Sequence, residues 1–415
     1  MLEARRRILF VAESLTLAQV VRLVALARRL DPRRYEVHFA CSEFDPLVFG
    51  DTEFRRWPLF SIDRERGLAA LAKGDRLYDA ATLARYVEDE LSLFGEVKPD
   101  LVVGDFRLSL AVSAPVAKVA HAALINAYWS PYAVRDVFPV PDHPIVSLVG
   151  VERAARYLPQ ALPRAFAHFA APLEAVRKRF GLPPTGGLLE QLTFGDYTLY
   201  PDIPELCPTR NTPQSHVYLG AIAWAPSVPL PDFWHDLDPA RPLIYVTLGS
   251  SGSLPTLPAV LQAIAQLPVQ AVLAGAGRAR PRDVPDNVRV VDFVPGHVVA
   301  RRAQLVISNG GSSTGYQALA EGVPVLGVPF NMDQYLAMTA IERAGAGRLV
   351  RAGSIRPHLV ATAITAILED PRPREAARQL QRGFAQLDCH ARFEEVLTRA
   401  LGPWTARGPG TTISG

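Results

Sequence analysis

The chain has 415 residues, and at roughly 150 residues per domain two domains are expected. With 49% hydrophobic and 20% charged residues it reads as a folded globular protein, not a disordered or fibrous one. Its 44 basic and 41 acidic residues nearly cancel, which removes the electrostatic case for nucleic acid, and no run of about 18 uncharged apolar residues offers a membrane span.

Strand and helix signals alternate from the start. Arg7 to Ala12 (RILFVA) is a short apolar strand; the apolar stretch ends at Glu13, too soon for a signal-peptide core. Leu17 to Leu30 carries apolar residues at helical spacing, and YEVHFA is a second strand. Tyr78 to Phe94 reads as a helix, DLVVGD at Asp100 to Asp105 as a strand, Leu108 to Ala120 as a helix and AALIN at Ala122 to Asn126 as a strand. Such alternation implies a parallel sheet covered on both faces.

Proline-rich segments at Pro131 to Pro144 and Pro159 to Pro184 are expected to be long loops over a cleft, with one amphipathic helix between Pro163 and Gly181. The aperiodic stretch Ala221 to Arg241 reads as a linker. A second alternating unit follows: PLIYVTLG, a helix Leu257 to Leu267, VQAVLAG, NVRVVDFV, QLVISN, a helix Ser313 to Glu321, PVLGVP and a helix Tyr335 to Ala344. Two more helical stretches, Ile355 to Glu369 and Arg374 to Leu401, precede a Gly/Pro/Thr-rich tail read as frayed. The expected division is 1–220, a linker 221–241, 242–385, a C-terminal helix 386–402 packing back on the first domain, and a tail 403–415.

Cys41, Cys207 and Cys389 are odd in number and scattered, which suits a reducing cytoplasm and excludes a disulfide framework. No lysine follows Lys178 and no GxxxxGK precedes it, so there is no P-loop; the turn AESLTLAQ lacks glycine, so the dinucleotide GxGxxG is absent too. The glycines cluster after strands of the second unit: Gly249-Ser250-Ser251-Gly252, Gly275-Ala276-Gly277, and Asn309-Gly310-Gly311-Ser312-Ser313-Thr314-Gly315. The last passes straight from a strand into a helix, where small residues, free N–H groups and the helix dipole together suit a phosphate. Asp333 and Gln334 stand at the end of another strand and could take sugar hydroxyls, although Asp333 taken alone reads first as the cap of the Tyr335 helix.

The stretch NGGSSTGYQALAEGVPVLGVPFNMDQ resembles the donor-binding signature of family 1 glycosyltransferases of the GT-B fold. TLGSSG at Thr247 to Gly252 is similar to the family's first loop of the C-terminal domain, and FVPG, with Phe293 and Val294, to the segment against which the nucleotide base packs. The fold implied is α/β, GT-B, two Rossmann-like doubly wound domains facing a cleft. The resemblance further implies a UDP- or dTDP-sugar held by Gly311, Ser313 and Thr314, with Gln317 near the ribose and Asp333 and Gln334 on the sugar. It implies a small, largely apolar acceptor on the N-terminal side, inversion at the anomeric carbon, and no cofactor or metal.

Three positions depart from the family pattern. Asn309 replaces the usual His of the motif, Gln317 replaces its Glu, and Gln19 replaces the His that serves as base, whereas Asp105 matches the Asp that holds that base. Glutamine is no general base at neutral pH. The catalytic candidates are therefore Asp105, with a carboxyl raised by burial beside neutral Gln19; His143, from its proline-rich loop; and Gln19 itself as a positioner. The alternative is a donor binder with a disabled base.

Two further readings complete the set. GxSxG at Gly311 to Gly315, with Asp333 and His358 or His390 following, fits a serine hydrolase using Ser313. Asp236-Leu237-Asp238 has the letters of a metal-binding DxD but reads as a solvated turn. Arg164, Arg177, Lys178 and Arg179 flank an apolar helical face, an ordinary rim that leaves peripheral membrane contact open.

Overall fold

A computed structural model of the chain describes residues 5–249, 251–278 and 281–402. Ser250 and the tail 403–415 lie outside them. The first sheet has seven strands, β1 Arg6–Ala12, β2 Tyr35–Cys41, β3 Arg55–Pro58, β4 Leu101–Asp105, β5 Ala120–Leu124, β6 Tyr197–Tyr200 and β7 His216–Tyr218, in the order β3-β2-β1-β4-β5-β6-β7. The second has six, β8 Leu243–Thr247, β9 Gln270–Ala274, β10 Val288–Val291, β11 Leu305–Ser308, β12 Val325–Gly327 and β13 Gly347–Leu349, in the order β10-β9-β8-β11-β12-β13. All pairings are parallel.

Both orders reverse direction once, between β1 and β4 and between β8 and β11. Parallel strands open a ligand crevice at such switch points, beyond their C-terminal ends. Register puts Ala12 beside Asp105 in the first sheet and Thr247 beside Ser308 in the second. The turn after β1, Asp105, and two of the glycine clusters thereby come to the two switch points.

Several local expectations are corrected. The helix expected between Pro163 and Gly181 is present but begins earlier: it runs 29 residues, Val151–Arg179, and takes Pro159 inside it, along with Pro163 and Pro172, where a loop was expected. Each proline deprives the carbonyl four residues earlier of its donor; Ala155, Pro159 and His168, which bear those carbonyls, are exposed, so water can take the place of the lost N–H. The C-terminal helical stretch breaks into Pro371–Gln386 and Cys389–Leu401, because the Asp388 carboxylate accepts from the backbone N–H groups of His390 and Ala391 and starts a new helix. Strand β3 and the helix Arg64–Lys73 carried no clear period and were absent from the expected elements.

The final helix, Cys389–Leu401, buries Cys389, Phe393, Val396 and Leu397 against β1 and β2, with the Phe393 and Phe10 rings 6.1 Å apart. Tyr35 donates to Glu394 at 3.0 Å. The last described helix is thus bound to the first sheet by core packing.

Candidate functional site

Between the two sheets lies a cavity of about 220 Å³. The second sheet's side of it is built by local necessity. Gly249 and Gly310 have φ of +58° and +80°, a region L side chains rarely adopt, and a Cβ on Gly310 would stand 2.8 Å from Met338 Cγ. Gly311 is the N-cap of the helix Ser312–Ala320. Ser312, Ser313 and Thr314, whose backbone N–H groups have no partner within the helix, line the cavity. Gly249, Phe293, Val294 and Gln317 line it as well.

Other sequence candidates sit behind this surface. Asn309 is buried; its Nδ2 donates to Ser251 Oγ at 3.1 Å and its Oδ1 accepts from the Gly311 N–H at 3.2 Å, tying the two glycine loops together. An amide serves here because the position needs a donor and an acceptor at once. Gln317 Nε2 donates to the Trp224 carbonyl at 3.2 Å. Residues 221–226, within the expected linker, wall the cavity, a role for which their aperiodic sequence carries no signal.

Asp333 does not cap its helix. Asn331 does, accepting from the Gln334 N–H at 3.0 Å, while Gln334 Oε1 accepts from the Phe330 N–H at 3.1 Å. Asp333 Oδ1 instead accepts from the Tyr128 hydroxyl at 3.1 Å and from Trp129 Nε1 at 2.8 Å, both of the N-terminal half.

On the N-terminal side Asp105 is fully buried, and its partner is Arg22, not Gln19. Arg22 Nε donates to Oδ2 at 2.8 Å and Nη2 to Oδ1 at 2.7 Å, a bidentate pair. Burial raises the Asp105 carboxyl to about 6 against the opposing charge of Arg22, with Asp333 adding to the rise. Gln19 Oε1 accepts from the Thr16 backbone N–H at 2.9 Å, closing the first turn of the helix Leu17–Ala27. The spacing Thr16-x-x-Gln19 is a capping-box signature already legible in the sequence. Arg22 was legible too, as a lone cation inside the apolar run Val20 to Val24.

Arg22 lines the cavity whereas Asp105 does not. From Arg22 the polar contacts run across the molecule. Nη1 donates to Asn126 Oδ1 at 2.9 Å, the same oxygen accepts from Ser312 Oγ at 3.3 Å, and Asn126 Nδ2 donates to Asp202 Oδ1 at 3.1 Å. Asp202 also accepts from the Ala127 N–H at 2.6 Å and from the Tyr316 hydroxyl. Asn126 is the junction of the two halves, and nothing in its local sequence marked it.

His143 is placed away from this network. Its Nδ1 accepts from the Ile145 N–H at 3.1 Å, and its ring lies against Gly74. The loop before it is pinned: Asp142 accepts from Arg351 at 2.6 Å, the Tyr335 hydroxyl at 3.0 Å and the Gly353 N–H at 2.7 Å. The hydrolase constellation is not assembled, since Asp333 is held by Tyr128 and Trp129, His358 is exposed, and His390 opens the helix packed on β1 and β2. Asp236 and Asp238 are exposed at the end of the short helical turn Asp232–Asp236. Arg177 is buried over the Phe194 ring and bonded to Pro183 and Ala111 carbonyls, so it is not part of a solvated rim.

Comparison with known proteins gives this arrangement its class. Residues 258–394 match the family model "Erythromycin biosynthesis protein CIII-like, C-terminal domain". The spinosyn forosaminyltransferase SpnP has the same fold, with a TM-score of 0.70 at 19% identity, covering 96% of this chain and all of that one. Two doubly wound halves around a shared cavity are the GT-B architecture. A PGL/p-HBAD biosynthesis glycosyltransferase of Mycobacterium tuberculosis is 46% identical over 381 residues, 92% of this chain and 89% of its own length. A PGL/p-HBAD biosynthesis rhamnosyltransferase of Mycobacterium bovis is 46% identical over 383 residues, 92% of this chain and 85% of its own. The chain belongs to the family 1 glycosyltransferases of the GT-B fold and is a sugar-transferring enzyme.

Proposed function

We propose that the enzyme moves a rhamnosyl-type 6-deoxyhexose from a UDP- or dTDP-sugar to a hydroxyl of a largely apolar acceptor, with inversion. The observation that carries this reading is that the helix N-terminus at Ser312 to Thr314 and Arg22 line one cavity. The nucleotide base lies against Phe293 and Val294, the ribose near Gln317, and the diphosphate on the N–H groups and hydroxyls of Ser312, Ser313 and Thr314. Asp333 and Gln334 hold the sugar, whose hydroxyls replace the donors of Tyr128 and Trp129 on Asp333.

In the reaction the acceptor oxygen attacks the anomeric carbon, the bond from that carbon to the diphosphate oxygen breaks, and the hydroxyl proton passes to water in the cleft. Arginine takes up no proton, so Arg22 contributes by donating a hydrogen bond that orients the attacking oxygen toward the anomeric carbon. Asp105 keeps the guanidinium in place, and Gln19 completes the helix start that sets Arg22's direction. The leaving diphosphate is met by helix N–H groups, and no cofactor or metal is assigned.

A thermal-shift and turnover panel of UDP, dTDP, GDP and their sugars tests this. Pyrimidine nucleotides are expected to raise the melting temperature most, and EDTA to leave turnover within about twofold, because fixed backbone donors stand in for a cation. A GDP-sugar preference, or loss of turnover in EDTA restored by magnesium, would overturn the donor assignment.

A further inference from the structure

Exposed apolar side chains are concentrated in one place. From Pro144 to Ala161 not one residue is buried. This stretch comprises the helix Pro144–Val149, the turn at Gly150 with φ +83°, and the first turns of the helix Val151–Arg179. Its side chains include Leu148 at 86% exposure, Ile145 and Tyr157 at 60% each, and exposed Val149 and Val151. Single apolar residues on a surface are ordinary, but a contiguous group that nothing covers marks an interaction face.

The arm is anchored rather than loose. Leu162 is its first buried residue, the Phe166 ring meets Phe138 edge-on at 5.1 Å, and Asp142 at its root is gripped by Arg351, Tyr335 and Gly353. The same chain, followed back, leads to Trp129 on Asp333 and then to Asn126, which lines the cavity. A rigid root therefore joins the exposed arm to the cavity.

Charge identifies the partner. Between Pro144 and Leu173 the only carboxylate is Glu152, whereas Arg153, Arg156 and Arg164 are all exposed. Aliphatic tips with a Tyr and a cationic border suit the boundary of an anionic lipid leaflet, where the apolar groups enter the acyl region and the guanidiniums meet phosphates. Among the described residues no helix is long and apolar enough to cross a membrane, so the arm would lie on the surface. Of the basic residues singled out in the sequence at the far end of the same helix, Arg177 is buried, while Lys178 and Arg179 lie more than a dozen residues beyond the arm.

We infer that the arm Pro144 to Arg164 is a docking element for an anionic membrane surface, seating the cavity beside a lipid-borne or lipid-dissolved acceptor. Flotation with phosphatidylcholine vesicles, with and without phosphatidylglycerol, tests it. The protein is expected to float only with the anionic vesicles and to release as salt rises. Reversing Arg153→Glu and Arg156→Glu together should weaken partition by more than tenfold, at about fivefold per charge near the surface. Ile145→Glu with Leu148→Glu should abolish flotation while leaving the melting temperature unchanged, because both side chains are already in water. Val290→Glu, an exposed position on β10 at the edge of the second sheet opposite β13, should float as the wild type does. Absence of flotation, or arm variants that float like wild type, overturns the inference; so does a dimer that Leu148→Glu dissociates without any lipid binding, which would give the face to a second copy. Flotation involves no sugar transfer, so failure here leaves the transfer reading untouched.

Discussion

Asp105→Asn is expected to lower kcat by roughly a hundredfold or more, because the amide no longer holds the Arg22 guanidinium by two charged bonds, whereas its effect on stability should be small near neutral pH, since burial already disfavours the ionised carboxyl. Stability and catalysis can be separated. Arg22→Met combined with Asp105→Leu removes both charges and should likewise keep most of the melting temperature, since apolar replacements of a buried pair are often neutral or better. Turnover should not return. A double variant as active as wild type would show that the pair is only a packing device, and an unaffected Asp105→Asn would remove both residues from the mechanism. Gln19→His gives the complementary control: a large gain confined to it would mean that the natural protein binds donor with a disabled base.

The same pair sets a pH signature. Asp105 must be ionised to hold Arg22, and its carboxyl is raised to about 6, so turnover should fall as pH drops through 6. Stability should respond in the opposite sense. In the unfolded chain the carboxyl titrates near 3.8. Between the two values the folded state holds a proton that the unfolded state has lost, so this group's contribution to stability is present at low pH and declines as pH rises through the window. The contrast is read by comparing wild type with the Arg22→Met and Asp105→Leu double variant, in which that component is gone. Identical profiles of stability against pH for the two proteins would refute the assignment.

Gly311→Val is expected to cost the enzyme its donor. A Cβ at this position would lie 3.3 Å from Asn309 Oδ1, a contact that side chain can relieve, and the backbone φ of −70° is open to any residue. The fold should therefore survive. The branched side chain would stand at the helix N-terminus, between the diphosphate and the N–H groups of Ser312 to Thr314. Wild type at a hundred times its dissociation constant gains about 2.7 kcal/mol from the nucleotide by mass action. The variant should lose nearly all of that shift while keeping its own melting temperature. Gly310→Val is the contrast: φ +80° and Met338 at 2.8 Å predict lost stability before any effect on ligand can be read. A preserved shift in Gly311→Val would place the phosphate elsewhere.

Much of this protein was legible before any tertiary information. The alternation of β1, the Leu17–Ala27 helix and β2, and its repetition from β8 onward, follow from apolar periodicity, which is local. The glycine loops were legible for the same reason, since a left-handed turn or a close backbone approach admits few residue types. Parallel pairing then brings Asp105 and the loops after β8 and β11 to the switch points, so the existence of a site at the C-terminal ends of the strands was implied by order alone.

What the sequence did not contain is which polar side chain meets which. Gln19 and Arg22 are three residues apart on one helix, close enough in direction that alignment to a family pattern chooses the first. The folded structure chooses the second, because the Gln19 amide is spent on the helix's own start and the longer Arg22 side chain reaches Asp105 and Asn126. Asn126, Tyr128 and Trp129 became site residues only when the two halves met, as did the wall formed by residues 221–226. The prolines of the Val151–Arg179 helix show the same limit from the other side, since a helix breaker is tolerated where the freed carbonyls face water. Local patterns are set by backbone sterics and hydrophobic period; partners across the cavity are set by packing between segments distant in the chain, where one rotation of a helix exchanges the residue that faces the substrate.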